Sequence, residues 1–407
     1  MIEPKLRFKA DDGSQFPDWK KKKLSDIFVE RREMQCIDDE YKLLSFTIEQ
    51  GVINPEDKKT NKRDFLMKDK ASKKFLRTEY NDIIYNPANL KYGAINRNKL
   101  GKGLLSPIYA IFYTEQNAVF MESIVRNPDF IKRSLKYLEG TVIKLMTLKP
   151  RDFLRMKTYI PCLEEQQKIA EFLLTIDTVI AKQKETVSAW EERKKGVLQK
   201  LFSQEVRFKA DDGSDFPEWE EKKIDDVATC FAGATPSTKI PEYWEEGTIR
   251  WMSSGEVNNG QIHDTEKRIS QLGFDKCSTK MVKPNTVVMA LAGQGKTRGM
   301  VAITRVTLCT NQSLCAIETN DDICDDYLYQ YLQTQYNNLR LISSGDGTRG
   351  GLNLKLVGGY IVGVPCLAEQ QKIADCLSAF DEVIEKQKET LATWEELKKG
   401  LLQQMFV

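Results

Sequence analysis

The clearest alternation of apolar and polar positions lies in residues 161–202, and the same alternation returns in residues 365–406. In both blocks apolar side chains follow one another at intervals of four and three residues, the spacing of a coiled-coil seam. The pattern predicts two helices of about 40 residues, each roughly 60 Å long. The apolar seam positions are Ile169, Leu173, Ile176, Ile180, Val187, Trp190, Val197 and Leu201, then Ile373, Leu377, Phe380, Ile384, Leu391, Trp394, Leu401 and Met405.

Polar residues interrupt this seam at the same places in both blocks. Gln183 and Lys194 complete the rhythm in the first block, and Gln387 and Lys398 do so in the second. Because polar seam residues cost stability but fix register, we interpret the glutamines as register devices; alternatively, they face a third helix or solvent. An antiparallel pairing would suit a pseudo-two-fold arrangement. Four further apolar residues widen the stripe, and helices of a partner protein are a candidate cover for them: Phe172, Val179, Leu198 and Phe202.

The repetition extends beyond the helices. The two helical blocks are identical at 27 of 42 aligned positions, and RFKADDGS occurs at both Arg7–Ser14 and Arg207–Ser214. The chain of 407 residues is therefore two tandem halves, about 1–203 and 204–407. Within the halves, residues 25–160 and 225–364 have similar lengths but almost no common sequence. A repeated frame thus carries two different globular regions.

Both variable regions are predicted to be mixed α/β. TVVMALA (286–292) and MVAITRV (300–306) are strand-like and flank the glycine-rich GQGKTRG (293–299). NDIIYNPANLKYGAINR (81–97) has a similar strand–loop–strand pattern. Helices are predicted in residues 325–343 and, as a counterpart in the first half, in residues 127–140.

Charge distinguishes the two halves. Residues 1–200 contain 39 Lys and Arg against 29 Asp and Glu, whereas residues 201–407 contain 22 against 30. The basic excess is greatest in residues 51–77, which makes this segment either a solvated surface or a phosphate-binding one. Its candidate DNA contacts are Lys58, Lys59, Lys62 and Arg63.

The glycine-rich loops supply the other candidate contacts. ALAGQGKT (290–297) has Ala290 where a P-loop requires Gly, and a strand-like segment follows it, so a nucleotide phosphate site is disfavoured. A DNA-contacting loop or a plain hairpin loop fits better, since Gln and Arg match adenine and guanine edges. The candidate DNA contacts outside the basic segment are Lys91, Tyr92, Arg97, Lys99, Gln294, Lys296, Thr297, Arg298, Thr348, Arg349 and Asn353.

Catalytic and metal sites find little support in the sequence. His263 is the only histidine, and the nine cysteines form no CxxC pair, so zinc is disfavoured. Cys162 and Cys366 occupy equivalent positions, which favours packing over a disulfide and a reduced, cytoplasmic location. We find no GxSxG or HExxH motif. No apolar run is long enough for a membrane span.

The two variable regions, each followed by an LxEQQKIAxxL helix that ends in KKGLLQ-like sequence, resemble the specificity subunits of type I restriction-modification enzymes. FAGATPSTKIPEYWEEGTIRWMSSGEVNNGQI (231–262) is similar to the opening of a target recognition domain in that family, and residues 344–365 resemble its closing stretch. LLSFTIEQGVINPED (43–57) lacks the GxTPS opening, and residues 137–161 lack the glycine-rich closing loop.

This resemblance implies two target recognition domains joined by two long antiparallel coiled-coil helices with pseudo-two-fold symmetry. The implied organisation is 1–160, first recognition domain; 161–203, first spacer helix; 204–364, second recognition domain; and 365–407, second spacer helix. It further implies that each domain recognises half of a bipartite site in double-stranded DNA, and that the helices measure the gap.

The implied partners are two methyltransferase subunits, which bring S-adenosylmethionine, and two restriction subunits, which bring ATP and Mg²⁺. No cofactor is expected on this chain. Two rival hypotheses remain at this point: a coiled-coil adaptor that binds only proteins, and an enzyme such as a solitary nuclease or a nucleotide hydrolase.

Overall fold

A computed structural model describes residues 4–58, 73–139, 146–293, 296–343 and 351–406. The chain forms two compact units, the first made of Met1–Lys184 and Thr390–Val407, the second of Glu185–Glu389. Both contain sheets and helices, so the mixed α/β class is confirmed. In the described ranges no helix has the length and apolar character needed to cross a membrane.

The strands of the first unit are short, and most of its helices have fewer than ten residues. They are β1 (Lys20–Lys23), β2 (Phe28–Glu30), β3 (Met34–Gln35), β4 (Ser45–Thr47), β5 (Gly51–Ile53), β6 (Phe75–Thr78), β7 (Ile83–Tyr85), β8 (Ile95–Arg97), β9 (Gly103–Leu105), β10 (Ala110–Thr114), α1 (Ala118–Arg126), α2 (Pro128–Ser134), α3 (Pro150–Arg155), β11 (Lys157–Ile160) and the long α4 (Leu163–Phe202), whose C-terminal part lies in the second unit.

The second unit also combines short strands with short helices and one long helix. Its elements are β12 (Glu220–Lys223), α5 (Ile224–Val227), β13 (Ala228–Ala232), β14 (Ile249–Met252), β15 (Gln261–Ile262), β16 (Lys267–Ile269), α6 (Gln271–Asp275), β17 (Met281–Val282), β18 (Val287–Ala290), β19 (Val301–Thr304), β20 (Leu308–Thr310), β21 (Leu314–Thr319), α7 (Asp325–Thr334), α8 (Tyr336–Ile342), α9 (Leu354–Gly358), β22 (Ile361–Val364) and the long α10 (Leu367–Met405), whose last part lies in the first unit.

The main sheets of the two units have the same topology although their sequences are unrelated. The first runs β2-β10-β7-β8, and the second runs β13-β21-β18-β19 with β15 added at the edge. All pairs are antiparallel except β15 with β19. In each unit a helix follows the second strand of this order directly, α1 after β10 and α7 after β21.

This topology corrects two helix predictions. The helix equivalent to α7 is α1, which the sequence analysis missed, whereas residues 127–140 begin with α2 and continue as a 3-10 turn. The helix predicted over 325–343 is divided at Gln335 into α7 and α8. Ala118–Arg126 is only nine residues long, and an apolar pattern of this length does not separate a helix from a strand.

The coiled-coil seam is confirmed by burial. Ile169, Leu173 and Ile176 are at most 5% exposed in α4, and Ile373 and Leu377 are at most 1% exposed in α10. The stripe on α4 is wider because it also faces its own globular domains. Phe172 packs on Phe8 with ring centroids 5.4 Å apart. Phe202 packs on Tyr331 at 5.3 Å. The expectation that a partner protein covers these two positions is therefore wrong.

Ion pairs show that α4 and α10 are antiparallel. In the first unit Asp177 pairs with Lys398, and Lys184 Nζ lies 2.7 Å from Glu395. In the second unit Lys194 Nζ lies 2.6 Å from Asp381, and Lys388 Nζ lies 2.7 Å from Glu191. The four residues of each set are equivalent in the repeat, so each unit contains one copy of the same two pairs. The two polar seam positions predicted at Lys194 and Lys398 are thus neutralised by carboxylates.

The repeated RFKADDGS segments anchor each unit to the start of a long helix. Arg7 pairs with Glu165 at 2.8 Å, and Arg207 pairs with Glu369 at 2.8 Å; both glutamate side chains are 0% exposed. The next turn is held as well, since Lys168 donates to the carbonyl of Lys9. The motif recurs because each half needs the same clamp.

Gln166 and Gln370 connect the long helices to the globular domains in the same way. Each side-chain amide donates to the preceding proline carbonyl, at 3.0 Å and 2.8 Å respectively. Each amide oxygen accepts the backbone N–H at the start of the sheet-packed helix, from Asn117 in one unit and Cys324 in the other. The first glutamine of the EQQKI motif therefore positions α1 and α7.

Candidate nucleic-acid interface

The β7–β8 and β18–β19 hairpin loops occupy equivalent places in the two units. β7 pairs antiparallel with β8, and β18 pairs antiparallel with β19, within the sheets of common topology. The connecting residues are 86–94 in the first unit and 291–300 in the second. Both strand–loop–strand predictions are confirmed, and most of the described candidate contacts lie in or beside these loops.

The β7–β8 loop presents an aromatic and a basic side chain on a fixed base. Leu90 is 0% exposed and begins a 3-10 turn that ends at Tyr92. Gly93 closes the turn with φ +81°, a conformation that glycine adopts without strain. Tyr92 is 63% exposed, and the Lys91 ammonium lies 5.2 Å from the centre of its ring. A buried leucine thus holds a half-buried lysine and an exposed tyrosine at the loop tip.

Arg97 and Lys99 share one carboxylate beside this loop. Arg97 is 5% exposed, and its guanidinium pairs with Glu122 of α1 at 3.1 Å and donates to Asn81 at 2.7 Å. The Lys99 side chain is 55% exposed, and its Nζ lies 3.6 Å from Glu122. Arg97 is therefore engaged inside the domain, whereas Lys99 lies at the surface.

Only the ends of the basic segment 51–77 belong to the described residues. Lys58 is half-buried and follows a 3-10 turn. Arg77, at the other end, pairs with Glu33 at 2.8 Å and stacks on the Tyr41 ring at 4.5 Å. Lys59, Lys62 and Arg63, together with Gln294, Thr348 and Arg349, lie outside the described residues.

The β18–β19 loop is closed by backbone hydrogen bonds at its base. Gly299 donates to Ala290 at 2.9 Å, and its φ of +82° requires the freedom of glycine. Lys296 is exposed, Thr297 is half-buried, and Arg298 is only 9% exposed. Of the three described candidate contacts in this loop, Lys296 is therefore the most accessible.

A second glycine-rich segment of the sequence is SSGDGTRGG (343–351), and the residues that follow it lie beside the β18–β19 loop. The Leu352 amide donates to the Leu291 carbonyl at 2.9 Å. Asn353 is exposed, and its side chain caps α9 by accepting from the Leu356 amide at 2.9 Å. Asn353 thus stabilises the N-terminus of α9, close to the loop that contains Lys296.

The β18–β19 loop also borders a cleft of about 470 Å³ that the sequence analysis did not identify. Its walls combine apolar, aromatic and amide side chains from four elements. Burial raises the pKa of the Tyr329 phenol, so the hydroxyl in this wall stays neutral. A signal for the cleft was present in YLYQYLQTQY, where tyrosines and glutamines recur along α7 and α8. The lining residues are Val257, Asn258, Gly260, Lys296, Gly299, Met300, Val301, Tyr329, Gln333 and Tyr336.

Other reactive groups in the described ranges do not assemble into a recognised site. No three His, Cys, Asp or Glu residues there are placed to hold a metal ion. Cys309 is buried, which raises the pKa of its thiol to about 12. All nine cysteines have free thiols, and the equivalent Cys162 and Cys366 are half-buried.

Comparisons with known proteins agree with this architecture. Residues 217–393 match the sequence model of the family described as type I restriction modification DNA specificity domain. The chain is 32% identical over 211 residues to the type I restriction enzyme MjaIX specificity subunit of Methanocaldococcus jannaschii, covering 51% of this chain and 48% of that protein. It is 24% identical to the MjaVIII specificity subunit of the same organism, covering 83% and 82%.

The fold matches over the whole chain. A crystal structure of the type I restriction-modification system S subunit from M. genitalium aligns with a TM-score of 0.59 at 15% identity, covering 100% of this chain and 99% of that one.

The MjaIX and EcoR124I/EcoR124II specificity subunits are matched over about half of their own length, 48% and 45%. The comparisons confirm the resemblance to specificity subunits of type I restriction-modification enzymes.

Proposed function

We propose that the chain is the DNA-binding specificity subunit of a type I restriction-modification complex, with one recognition domain in residues 1–160 and another in residues 204–364. Each domain recognises one half of a bipartite site in double-stranded DNA. One observation carries this proposal. Each unit has its own sheet of the common topology, with a hairpin loop between equivalent strands, and the two loops have unrelated sequences. A common scaffold with different loops suits recognition of two different sequences.

Within the loops we assign different tasks to different side chains. Lys91, Lys99 and Lys296 contact phosphates, since their ammonium groups lie on accessible loops and phosphate contacts come chiefly from such groups. Tyr92 and Thr297 contact base edges. Arg97 and Arg298 are largely buried, and we propose that they hold the loops in shape.

We further propose that other subunits perform the chemistry. Two methyltransferase subunits supply S-adenosylmethionine, and restriction subunits supply ATP and Mg²⁺, as is typical of this enzyme class. The support is that the relatives are named specificity subunits and that one solved neighbour concerns complex assembly of the type I R-M system. The assembly would act on cytoplasmic DNA.

The long helices are proposed to set the spacing of the half-sites and to dock the methyltransferase subunits. Adding seven residues to each helix keeps the heptad phase and lengthens each helix by about 10 Å, roughly three base pairs of duplex. We expect either that the preferred spacer between the half-sites lengthens or that recognition is lost. Recognition could be lost because each added base pair also rotates the DNA groove that the second domain faces. Unchanged recognition at the original spacer would contradict this role.

Selection from a random duplex library tests DNA recognition directly. The chain, co-expressed with its methyltransferase subunits, should enrich two short conserved sequences separated by a fixed gap. Enrichment of protein partners without any DNA sequence would instead favour the coiled-coil adaptor. Turnover of DNA or ATP by the purified chain alone would favour an enzyme.

A further inference from the structure

The cleft beside the β18–β19 loop has the size and the chemistry of a small-ligand site. Its volume of about 470 Å³ lies within the 300–1,000 Å³ typical of such sites. All residues that line it belong to the second unit. We propose that it binds a nucleobase, either as a free nucleotide or as a base turned out of DNA.

Aromatic walls favour a planar ligand. Tyr329 and Tyr336 both line the cleft. The Tyr336 hydroxyl donates to the Lys296 carbonyl at 2.7 Å, and the Arg340 guanidinium lies 5.5 Å from the centre of its ring. These contacts fix the ring before a ligand arrives. Stacking on fixed aromatic rings is a general means of holding an unstacked base.

Two amide side chains, Gln333 and Asn258, belong to the lining of the cleft. Gln333 lies one helical turn after Tyr329 on α7, so both side chains share one face. The Gln333 amide nitrogen is buried and has no hydrogen-bond partner among the described residues. Asn258 donates its own amide N–H to the Gly255 carbonyl at 2.7 Å, which leaves its amide oxygen as the acceptor. A buried donor without a partner is costly, and a ligand acceptor would relieve that cost.

Two further features keep the cleft open and give it charge. Gly260 has φ +72°, and a Cβ there would lie 3.1 Å from the Tyr329 hydroxyl, so a side chain would crowd this wall. Lys296 is exposed and belongs to the lining, so the cleft contains a cation that attracts the negative charge of a nucleotide phosphate. The proposal therefore includes a preference for a 5′-monophosphate over the nucleoside.

Three variants of the full chain separate this role from general folding. Gln333→Ala removes the buried amide, and Met300→Trp fills the cleft from its apolar wall. Asn337→Ala is the matched control, because Asn337 is exposed on α8 and does not line the cleft. Thermal melting of all three establishes that each remains folded before binding is measured.

The free-ligand arm titrates each of the four nucleosides and its 5′-monophosphate by calorimetry. We expect at least one base to bind, with about fivefold weaker binding in Gln333→Ala, the size of one lost hydrogen bond. Met300→Trp should abolish binding, and Asn337→Ala should leave it unchanged. The DNA arm uses a duplex with 2-aminopurine in a mismatch, whose fluorescence should rise with the wild-type chain and not with Met300→Trp.

A response in either arm that Met300→Trp removes supports the proposal and identifies the source of the base. If neither arm distinguishes the wild type from Met300→Trp, the cleft is not a nucleobase site. The free-ligand arm does not depend on DNA recognition. Failure of this proposal and failure of the proposed function are therefore distinguishable, because library selection by the wild-type chain measures the latter alone.

Discussion

The backbone amide of Leu352 donates to the carbonyl of Leu291 at 2.9 Å, and this bond joins the residues that border two glycine-rich segments far apart in sequence. Leu291 follows β18 at the start of the hairpin loop, and Leu352 follows SSGDGTRGG. The proposed DNA-binding surface therefore combines residues from two places in the chain. The loop that contains Lys296 and the residues before α9 are expected to act on the same half-site.

Lys296→Ala should weaken binding to all DNA sequences alike. It should also reduce the slope of log binding constant against log salt concentration by about the contribution of one phosphate contact. The reason is that an exposed ammonium binds phosphate without reading the base. Fluorescence anisotropy over a series of salt concentrations measures the slope. Lys195→Ala, an exposed lysine on α4 outside the loops, is the control and should keep the wild-type slope. Equal slopes in the two variants would remove Lys296 from the interface.

Tyr92→Ala should change the recognition of one half-site and leave the other intact. Loss of an aromatic contact to a base costs about 1–3 kcal/mol, whereas the second unit keeps its own loop. Library selection with the variant measures both half-sites at once. Tyr80→Ala is the matched control, since Tyr80 is 60% exposed in the same unit but outside the β7–β8 loop. A change in the other half-site would show that the two loops are not independent.

Lys194→Ala should destabilise the second unit by about 2 kcal/mol, in the range of a charged hydrogen bond that is partly buried. Lys194 and Asp381 are 10% and 20% exposed, and Asp381 also accepts from Gln330 at 2.7 Å. Lys388→Ala breaks a pair in which both side chains are 49% exposed, so it should cost less than about 0.5 kcal/mol. Denaturant unfolding of both variants measures the difference. Equal losses would contradict a seam role for Lys194.

Arg207→Ala should be more damaging than either helix variant, with a loss of about 3 kcal/mol, because it leaves the fully buried Glu369 carboxylate without its cation. Among the described residues, Glu369 would keep the neutral donor from Trp219, at 3.1 Å. Calorimetric melting should show partial rescue by the double variant Arg207→Ala/Glu369→Gln. Lys209→Ala in the same repeated segment is exposed and should have little effect. Rescue that fails entirely would mean that the arginine acts through packing alone.

The long helices were predictable because apolar side chains recur at intervals of four and three residues over about 40 residues. The spacing also assigned Lys194 and Lys398 to seam positions, but it did not predict the carboxylates that pair with them. A charged residue at a seam position demands an opposite charge on the facing helix. In an antiparallel pair, Asp381 and Asp177 stand at the required places.

In the globular parts, only the features that produce a local sequence pattern were predictable. The two hairpins are recognisable in the sequence as apolar strands around a loop. The helix α1 has only nine residues, too few to separate a helix from a strand by apolar pattern alone. Arg97 was expected at the DNA surface because its sequence neighbours are loop-like. Its burial depends on Glu122, 25 residues later, and no local signal predicts that contact. The cleft next to Lys296 needs four elements in contact, so the recurring tyrosines and glutamines of YLYQYLQTQY do not predict it by themselves.

Replacement of residues 225–364 by the corresponding region of another specificity subunit tests the central claim most directly. The measurement is random-library selection by the wild type and by the hybrid, each with its methyltransferase subunits. The common sheet topology and the repeated helix anchors predict that one half-site changes, while the other half-site and the spacer stay the same. A change in both half-sites, or selection of no sequence by either chain, would contradict recognition by two independent domains on a shared frame.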